Sequence, residues 1–298
     1  MFVISYLSFV QVCYTQTKFS EFLRPSDTLN ISRRNSVIIS EAVLFTAGVY
    51  GLNELWYKDY PRSNFHTIND GNEWMQMDKI GHAFSSYQLG RLGAESLEWS
   101  GVSKKNQLIY GATIGFTFLT AVEVLDGFSK EWGFSWTDMA SNAAGTTLFV
   151  GQEVLWEEQR ILLKYSFHRT KYAKLRPEKL GDGILEESLK DYNGQTYWLS
   201  INLKSFFRDS NLPNWLNVAL GYGADGMLTG ENEPNNLMFP NQNRTRQFYI
   251  SLDVDLTKIK TNSNILNTIF SIFNVLKVPF PALEFTDKNG IKFHAITI

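Results

Sequence analysis

The chain has 298 residues, of which 44% are hydrophobic, 14% aromatic and 19% charged, and its net charge is −2 at pH 7. This length and composition allow one large or two ordinary globular domains with a sizeable core. The nearly balanced charge gives no reason to expect a nucleic-acid partner. The only cysteine is Cys13, which excludes a disulfide framework and a cysteine-based zinc site.

The first residues resemble an export signal. Residues 1–12 are apolar or neutral, like the apolar region of a signal peptide, although no basic segment precedes them. We therefore predict that residues 1–17 are an export signal whose true start lies upstream, with a chance apolar N-terminus as the alternative. Lipidation of Cys13 fits less well, because residues 10–12 lack the small residue expected before a lipidated cysteine.

Three apolar segments predict helices in the first half of the chain: residues 37–56, 107–125 and 137–155. Each is close to the ~20 residues that cross a bilayer, and glycines in all three would permit close helix contact. Carboxylates interrupt every segment, so the buried helices of a bundle fit as well as helices embedded in a membrane.

A basic connector, residues 160–179, follows these helices and can lie against anionic lipid headgroups or in solvent. Pro177 and the glycines at 181 and 183 mark the best domain boundary.

Beyond this boundary, apolar and polar residues alternate with the period of β-strands, and one apolar helix interrupts the strands. We predict an α+β protein with an N-terminal membrane-associated helical bundle and a small antiparallel β region. The predicted divisions are 1–17 (signal), 18–180 (helical domain) and 181–298 (β region).

The apolar helices contain ionisable residues at helical spacing. Asp78 and His82 stand four apart and share a face, and Asp138 and Asn142 repeat that spacing, while Glu123 lies late in another helix. Ionisable groups in such helices usually meet one another or line a wet cavity. One imidazole and three carboxylates would suit a divalent metal such as Zn, Mn or Fe, or an acid–base pair acting on an ester or phosphodiester.

We predict a polar cluster with two sets of candidate roles. The candidate catalytic residues are His82, Glu123 and Asp138, and a divalent metal is the cofactor to test. The candidate metal ligands are Asp78, His82, Glu123 and Asp138, with supporting positions for Lys79 and Asn142.

Separate structural roles are the alternative. Asp78 can cap its helix, Ser135 and Asp138 have the form of a capping box, and Glu123 can mark a helix end. His82 on its own fits a satisfied core histidine, although the capping explanation, which covers Asp78 and Asp138, leaves His82 and Glu123 unexplained. Another pair at four-residue spacing, His66 and Asp70, lies in a polar context that predicts a loop.

The residues 78–82 (DKIGH), Glu123 and residues 138–145 (DMASNAAG) resemble VanZ-like membrane proteins, which carry D-K-x-x-H, a helical E and D-x-x-x-N-x-x-G in this order. More closely, residues 25 to about 227 resemble the long version of the YfiM-type family of predicted envelope proteins in Bacteroidetes-like bacteria. Stretches such as SGVSKKNQLIYGA and KEWGFSWTDMASNAAGT carry this likeness. The resemblance implies a bacterial envelope location, at the outer membrane or periplasmic face, and no particular reaction.

Three hypotheses for the function follow. The first is a structural or binding protein of the envelope, in contact with membrane lipid and with room for a protein partner. The second is a metal-dependent or acid–base hydrolase or transferase acting on an envelope lipid or cell-wall intermediate. The third, implied by the VanZ-like resemblance, is a protein that lowers susceptibility to a cell-wall antibiotic. Whether the chain is an enzyme is left open.

Overall fold

A computed structural model of the protein describes residues 18–58, 60–231, 243–288 and 290–297. The predicted export signal, with Cys13, lies outside the described residues. The described part is an α+β structure with an antiparallel sheet of six strands, as predicted at this level.

Four long helices form the first half: α1 (Ile31–Leu52), α2 (Met77–Trp99), α3 (Ile114–Gly127) and α4 (Trp136–Trp156). A π-helical turn, Asn53–Tyr57, extends α1, and another, Gln107–Gly111, precedes α3. The three predicted helices are confirmed. The fourth, α2, packs against α1, α3 and α4 and therefore stands at the centre of this half.

Two helical stretches are long and apolar enough to cross a membrane, namely Ile31–Leu52 and Lys104–Gly127. This criterion rests on length and composition, and the core helices of soluble proteins and signal sequences also meet it. Val37 is the buried residue of α1, so most of that helix faces outward. Membrane association of the helical half is therefore only weakly indicated.

The centre of the bundle depends on close backbone contact. A Cβ placed on Gly145 of α4 would lie 2.0 Å from the carbonyl oxygen of Ala83 in α2, and one on Gly115 of α3 would lie 2.3 Å from the carbonyl oxygen of Ser86. Only glycine fits at contacts this short. The two glycines thus bring α3 and α4 close enough to α2 for short polar side chains to meet.

The sheet is a meander in which each strand pairs antiparallel with the next. A separate parallel pair joins β1 (Thr67–Ile68) to β2 (Phe134–Ser135). The strands of the sheet are β3 (Ile161–Phe167), β4 (Gln195–Asn202), β5 (Leu216–Asp225), β6 (Thr245–Val254), β7 (Phe280–Thr286) and β8 (Gly290–Thr297).

Short helices connect these strands: α5 (Tyr172–Leu175), α6 (Pro177–Leu180), α7 (Ile184–Lys190), α8 (Leu203–Phe206) and α9 (Asn264–Phe273). The apolar helix predicted among the strands corresponds to α9. The interpretation of residues 160–179 as a connector is wrong for its first part, because β3 lies there and pairs with β4 along its whole length.

The two faces of the sheet differ in an unexpected way. The helical half covers only part of the face that carries most of the apolar alternation. Tyr197 packs there with Met77, and Leu163 of β3 packs with Tyr87 and Phe149. The opposite face is buried and largely polar, and it includes Lys164 and Asp253, both without solvent exposure and 2.9 Å apart.

Candidate functional site

The cluster lies where α2 begins. Residues Trp74 to Gln76 all have left-handed backbone conformations, with φ of 47°, 51° and 65°. The hydroxyl of Tyr222 donates to the Met75 carbonyl at 2.5 Å, and Arg246 donates to the Gln76 side chain at 2.6 Å. The sheet thereby fixes the point at which α2 starts.

Asp78 is not the N-cap of α2, so the capping interpretation of this residue is wrong. The N-cap position is Gln76, and Asp78 lies in the first turn. Its carboxylate instead accepts a hydrogen bond from the hydroxyl of Tyr192 at 2.7 Å.

Lys79 is the cation at the centre of the cluster. Its ammonium lies 2.7 Å from Asp70 Oδ2, 2.9 Å from Asp78 Oδ2 and 2.7 Å from Asp138 Oδ1. The lysine side chain is only 10% exposed. One buried ammonium thus joins the loop before α2, α2 itself and the start of α4.

Ser135 explains why Asp138 is available to this lysine. The Ser135 hydroxyl accepts from the Asp138 backbone N–H at 3.1 Å, as predicted for a helix cap. In a capping box the acidic side chain would accept from the cap's own N–H, but here Glu123 Oε2 takes that N–H at 3.0 Å. Glu123 therefore replaces the Asp138 carboxylate in the cap, which leaves Asp138 free to face Lys79.

His82 occupies the other side of Asp78. Its Nδ1 lies 3.0 Å from Asn142 Oδ1, while its Nε2 lies 3.8 Å from Asp78 Oδ1 and 3.7 Å from Glu123 Oε1. Since Asn142 Oδ1 accepts from Nδ1–H, a neutral imidazole would turn the Nε2 lone pair toward two carboxylates. A proton on Nε2, a cation beside it, or a proton on Glu123, whose pKa burial raises to about 8, removes that repulsion.

Three side chains can share a metal ion. Asp78, His82 and Asp138 each offer one ligand atom, and these atoms lie within 4.8 Å of one another. Ligands about 2.1 Å from a tetrahedral ion lie roughly 3.4 Å apart, so the three atoms would approach one another by up to about 1.4 Å to bind one ion. Glu123 Oε1 is buried and has no hydrogen-bond donor among the described residues.

The charges around His82 shift the pKa values in opposite directions. Burial acts to raise the pKa of Asp78, but His82 and Lys79 outweigh it and lower that pKa to about 2. Burial acts to lower the pKa of His82, but the carboxylates of Asp78, Asp138 and Glu123 outweigh it and raise the pKa.

The pKa values of three other carboxyl groups in this region are raised toward neutral pH. Burial raises the pKa of Glu123 to about 8, and burial together with the Asp78 charge raises that of Asp138 to about 6. A third group, Asp126, has its pKa raised by burial to about 7 and accepts from the Tyr57 hydroxyl at 2.7 Å. The site therefore contains groups that can take up or release protons near neutral pH.

Access is from the side of Asp78 and His82, whose side chains are 22% and 17% exposed. Glu123 is 1% exposed, and Asn142 is fully buried. A small ligand would therefore first meet the imidazole and the Asp78 carboxylate.

The structure brings the predicted residues together. Lys79 contacts both Asp78 and Asp138. His82 lies next to Asn142 and Glu123. Their chemical roles stay predictions. The sequence reasoning missed Asp70 and Tyr192. Asp70 follows β1 in a loop, and no spacing signal links either residue to α2.

These features define an α+β protein with a buried histidine–carboxylate cluster in its helical half. Residues 68–151 match the family model described as Predicted periplasmic lipoprotein (DUF2279). The matched segment runs from β1 into α4 and includes every charged residue of the cluster. No curated protein and no solved structure is significantly similar to the chain.

Over residues 68–151 the chain is similar to an uncharacterised family of the bacterial envelope. The predicted localisation is confirmed at this level, because a periplasmic family is what an exported envelope protein would match. The YfiM-type and VanZ-like labels are not confirmed by this match.

Proposed function

We propose that this envelope protein has a structural and binding role in which the cluster holds a divalent cation between Asp78, His82 and Asp138. The observation that carries the proposal is the position of His82 Nε2, which faces two carboxylates at distances too long for hydrogen bonds. In this proposal Lys79 locks the helices, and the cation occupies the histidine side.

The surroundings of His82 support a ligand role. Histidines that bind metals usually donate their second ring N–H to an oxygen, which orients the ring, and Asn142 Oδ1 accepts in that way here. The buried Glu123 Oε1 beside it has no donor among the described residues. Mixed nitrogen and oxygen ligands suit zinc, manganese or iron.

The test is the metal content of the purified full chain by elemental analysis. We expect a near-stoichiometric divalent metal in the wild type that is lost in His82→Ala and retained in His168→Ala, which removes an exposed histidine outside the cluster. His82→Gln, closer in size, guards against misfolding, and circular dichroism confirms that each variant is folded. Folded wild type without metal after incubation with zinc, manganese or iron would refute the binding proposal.

A second candidate is a hydrolase or transferase that acts on an envelope lipid or cell-wall intermediate. Its support is the pair of carboxyl groups near His82 whose pKa values burial raises, Glu123 to about 8 and Asp138 to about 6. In this role His82 would be the base or a metal ligand, and one of the two carboxyl groups the acid.

Turnover separates the two candidates. Glu123→Gln keeps an acceptor for the Ser135 N–H but cannot donate a proton as an acid. If the protein hydrolyses a lipid-linked phosphodiester or ester, this variant should lose activity while it keeps bound metal. Absence of turnover on a panel of both substrate classes by metal-loaded wild type would leave the binding role.

A further inference from the structure

A row of apolar side chains crosses five strands on one face of the sheet. The register aligns the five positions directly, each residue opposite the next. All are exposed, with solvent-accessible fractions from 41% to 65%. In strand order from β4 to β8 they are Leu199, Leu220, Ile250, Leu283 and Phe293.

The opposite face is buried and largely polar, with an apolar cluster of Trp198, Ala219, Tyr249 and Ala282 among its polar residues. Ser200 donates to Asp253 at 2.6 Å, and Asn217 donates to Ser200 at 2.8 Å, with all three residues buried. An antiparallel sheet with one face in water buries its apolar residues and exposes its polar ones. For most of its residues this sheet does the reverse, which is the pattern of strands whose outer side chains contact lipid.

One end of the sheet has the residues of a membrane interface. Residues 202 and 217 are paired at this end, and the segments beyond them carry Phe207 and Trp215, which are 62% and 38% exposed. Arg208 and Lys260 are exposed beside the same end. Aromatic and basic side chains concentrate where hydrocarbon gives way to headgroups.

We propose that the apolar row contacts the acyl chains of a phospholipid bilayer, with Phe207, Arg208 and Trp215 at the level of the headgroups. The inverted polarity of the sheet identifies hydrocarbon as the partner, and the basic rim fits an anionic lipid surface. The proposal concerns the sheet and does not depend on a cation at the cluster.

The test uses a fluorescent label whose emission is quenched by brominated acyl chains. The label is attached to Ile250→Cys in the full chain, with Cys13→Ser as background, and the protein is reconstituted in phosphatidylcholine–phosphatidylglycerol vesicles. Leu185→Cys is the matched control, because Leu185 is 72% exposed but lies on α7, outside the sheet.

We expect strong quenching at residue 250 and little at residue 185. The label reports on the sheet itself, so a membrane anchor elsewhere in the chain cannot produce this pattern. An unquenched label at residue 250 in vesicle-bound protein overturns the proposal. Crosslinking between copies through residue 250, without quenching, overturns it in favour of a second copy on this face.

Charge variants test the energetics. Ile250→Glu should weaken partition into the same vesicles by about tenfold or more, whereas Leu185→Glu should leave it unchanged. Arg208→Ala should weaken binding to vesicles that contain phosphatidylglycerol and not to pure phosphatidylcholine. Equal partition of wild type and Ile250→Glu would also overturn the proposal.

Discussion

Lys79 lies in direct contact with the carboxylates of Asp70, Asp78 and Asp138, and those three side chains come from different parts of the chain. Burial acts to lower the pKa of this lysine, but the carboxylates outweigh it and raise the pKa. The stability that the lysine supplies is therefore present at neutral pH and lost only as the pH rises through its folded-state pKa.

Replacing Lys79 by methionine should destabilise the protein strongly. The change keeps most of the side-chain volume but leaves three buried or nearly buried carboxylates without their cation, which costs about 3–5 kcal/mol. Urea unfolding at neutral pH measures the loss. Lys105→Met, which removes an exposed lysine, should change the free energy of unfolding by less than about 0.5 kcal/mol. Similar losses for both variants would contradict this account of Lys79.

The partly buried carboxyl of Asp126 should make stability depend on pH. Burial raises its pKa to about 7 in the folded protein, above the value near 4 expected in the unfolded chain. Its contribution to stability is thus complete below about pH 4 and is lost as the pH rises through about 7.

Asp126→Asn removes this titration and keeps an acceptor for the Tyr57 hydroxyl. Unfolding midpoints of chelator-treated protein between about pH 4 and pH 8 should fall less steeply in the variant than in the wild type. Asp209→Asn, at an exposed position, should keep the wild-type slope. A slope identical in all three proteins would show that Asp126 does not titrate in this range.

The sequence predicts most of the cluster because helical spacing is a local property. Asp78 with His82 and Asp138 with Asn142 each lie one turn apart on a helix, so the pairs are visible without a structure. Asp70 and Tyr192 join the site through tertiary contacts across loops, which leave no periodic trace. The exchange at Ser135, where Glu123 takes the capping bond, is likewise a contact between two helices.

At the level of the elements, two glycines set the distance between helices, and a buried ion pair lies within the sheet. Apolar alternation predicted β4, β5 and β6, and the tail was predicted as β8, since those strands carry one apolar face, whereas β7 was not predicted. Strand β3 was not predicted because a lysine at its centre, Lys164, is normally a sign of a solvent-exposed segment. In the structure the Lys164 side chain is buried against Asp253. The charge of Lys164 therefore indicated a solvent-exposed segment, whereas β3 lies in the buried sheet.

Gly145→Ala should separate α4 from α2. The new methyl group would lie 2.0 Å from the Ala83 carbonyl oxygen, and overpacking of this kind costs about 1–3 kcal/mol. Gly151→Ala is the control in the same helix, since open space surrounds that position, and it should stabilise α4 by about 0.5–1 kcal/mol. Thermal unfolding of both variants measures these changes in stability. A Gly145→Ala protein more stable than the wild type would contradict the close contact.

At the level of the whole molecule, a bound cation would link the cluster to global stability. A ligand that binds only the folded state stabilises it by about 2.7 kcal/mol at a concentration about 100 times its dissociation constant. Zinc or manganese at that excess should raise the free energy of unfolding of the wild type by about this amount. The same addition to His82→Ala should have no effect, and equal stabilisation of both proteins would place the cation elsewhere.

The division of the chain at residue 181 stays a prediction. The sheet contains β3 from before that point, and the Gln88 side chain of α2 donates to the Leu163 carbonyl at 2.5 Å. The sequence could show where helical periodicity gives way to strand periodicity. It could not show that the two kinds of element share one interface, because that interface joins residues far apart in the chain.

The left-handed turn before α2 has a consequence for the order of folding. Its hydrogen bonds from Tyr222 and Arg246 span 147 and 170 residues of chain, and closing loops of that length is slow compared with forming a helix. A chain exported from its N-terminus delivers α2 long before β5 and β6. We therefore expect helix α2 to form early with its first turn not yet fixed. The geometry of Asp78, Lys79 and His82 should then be completed only after strand β6 has paired.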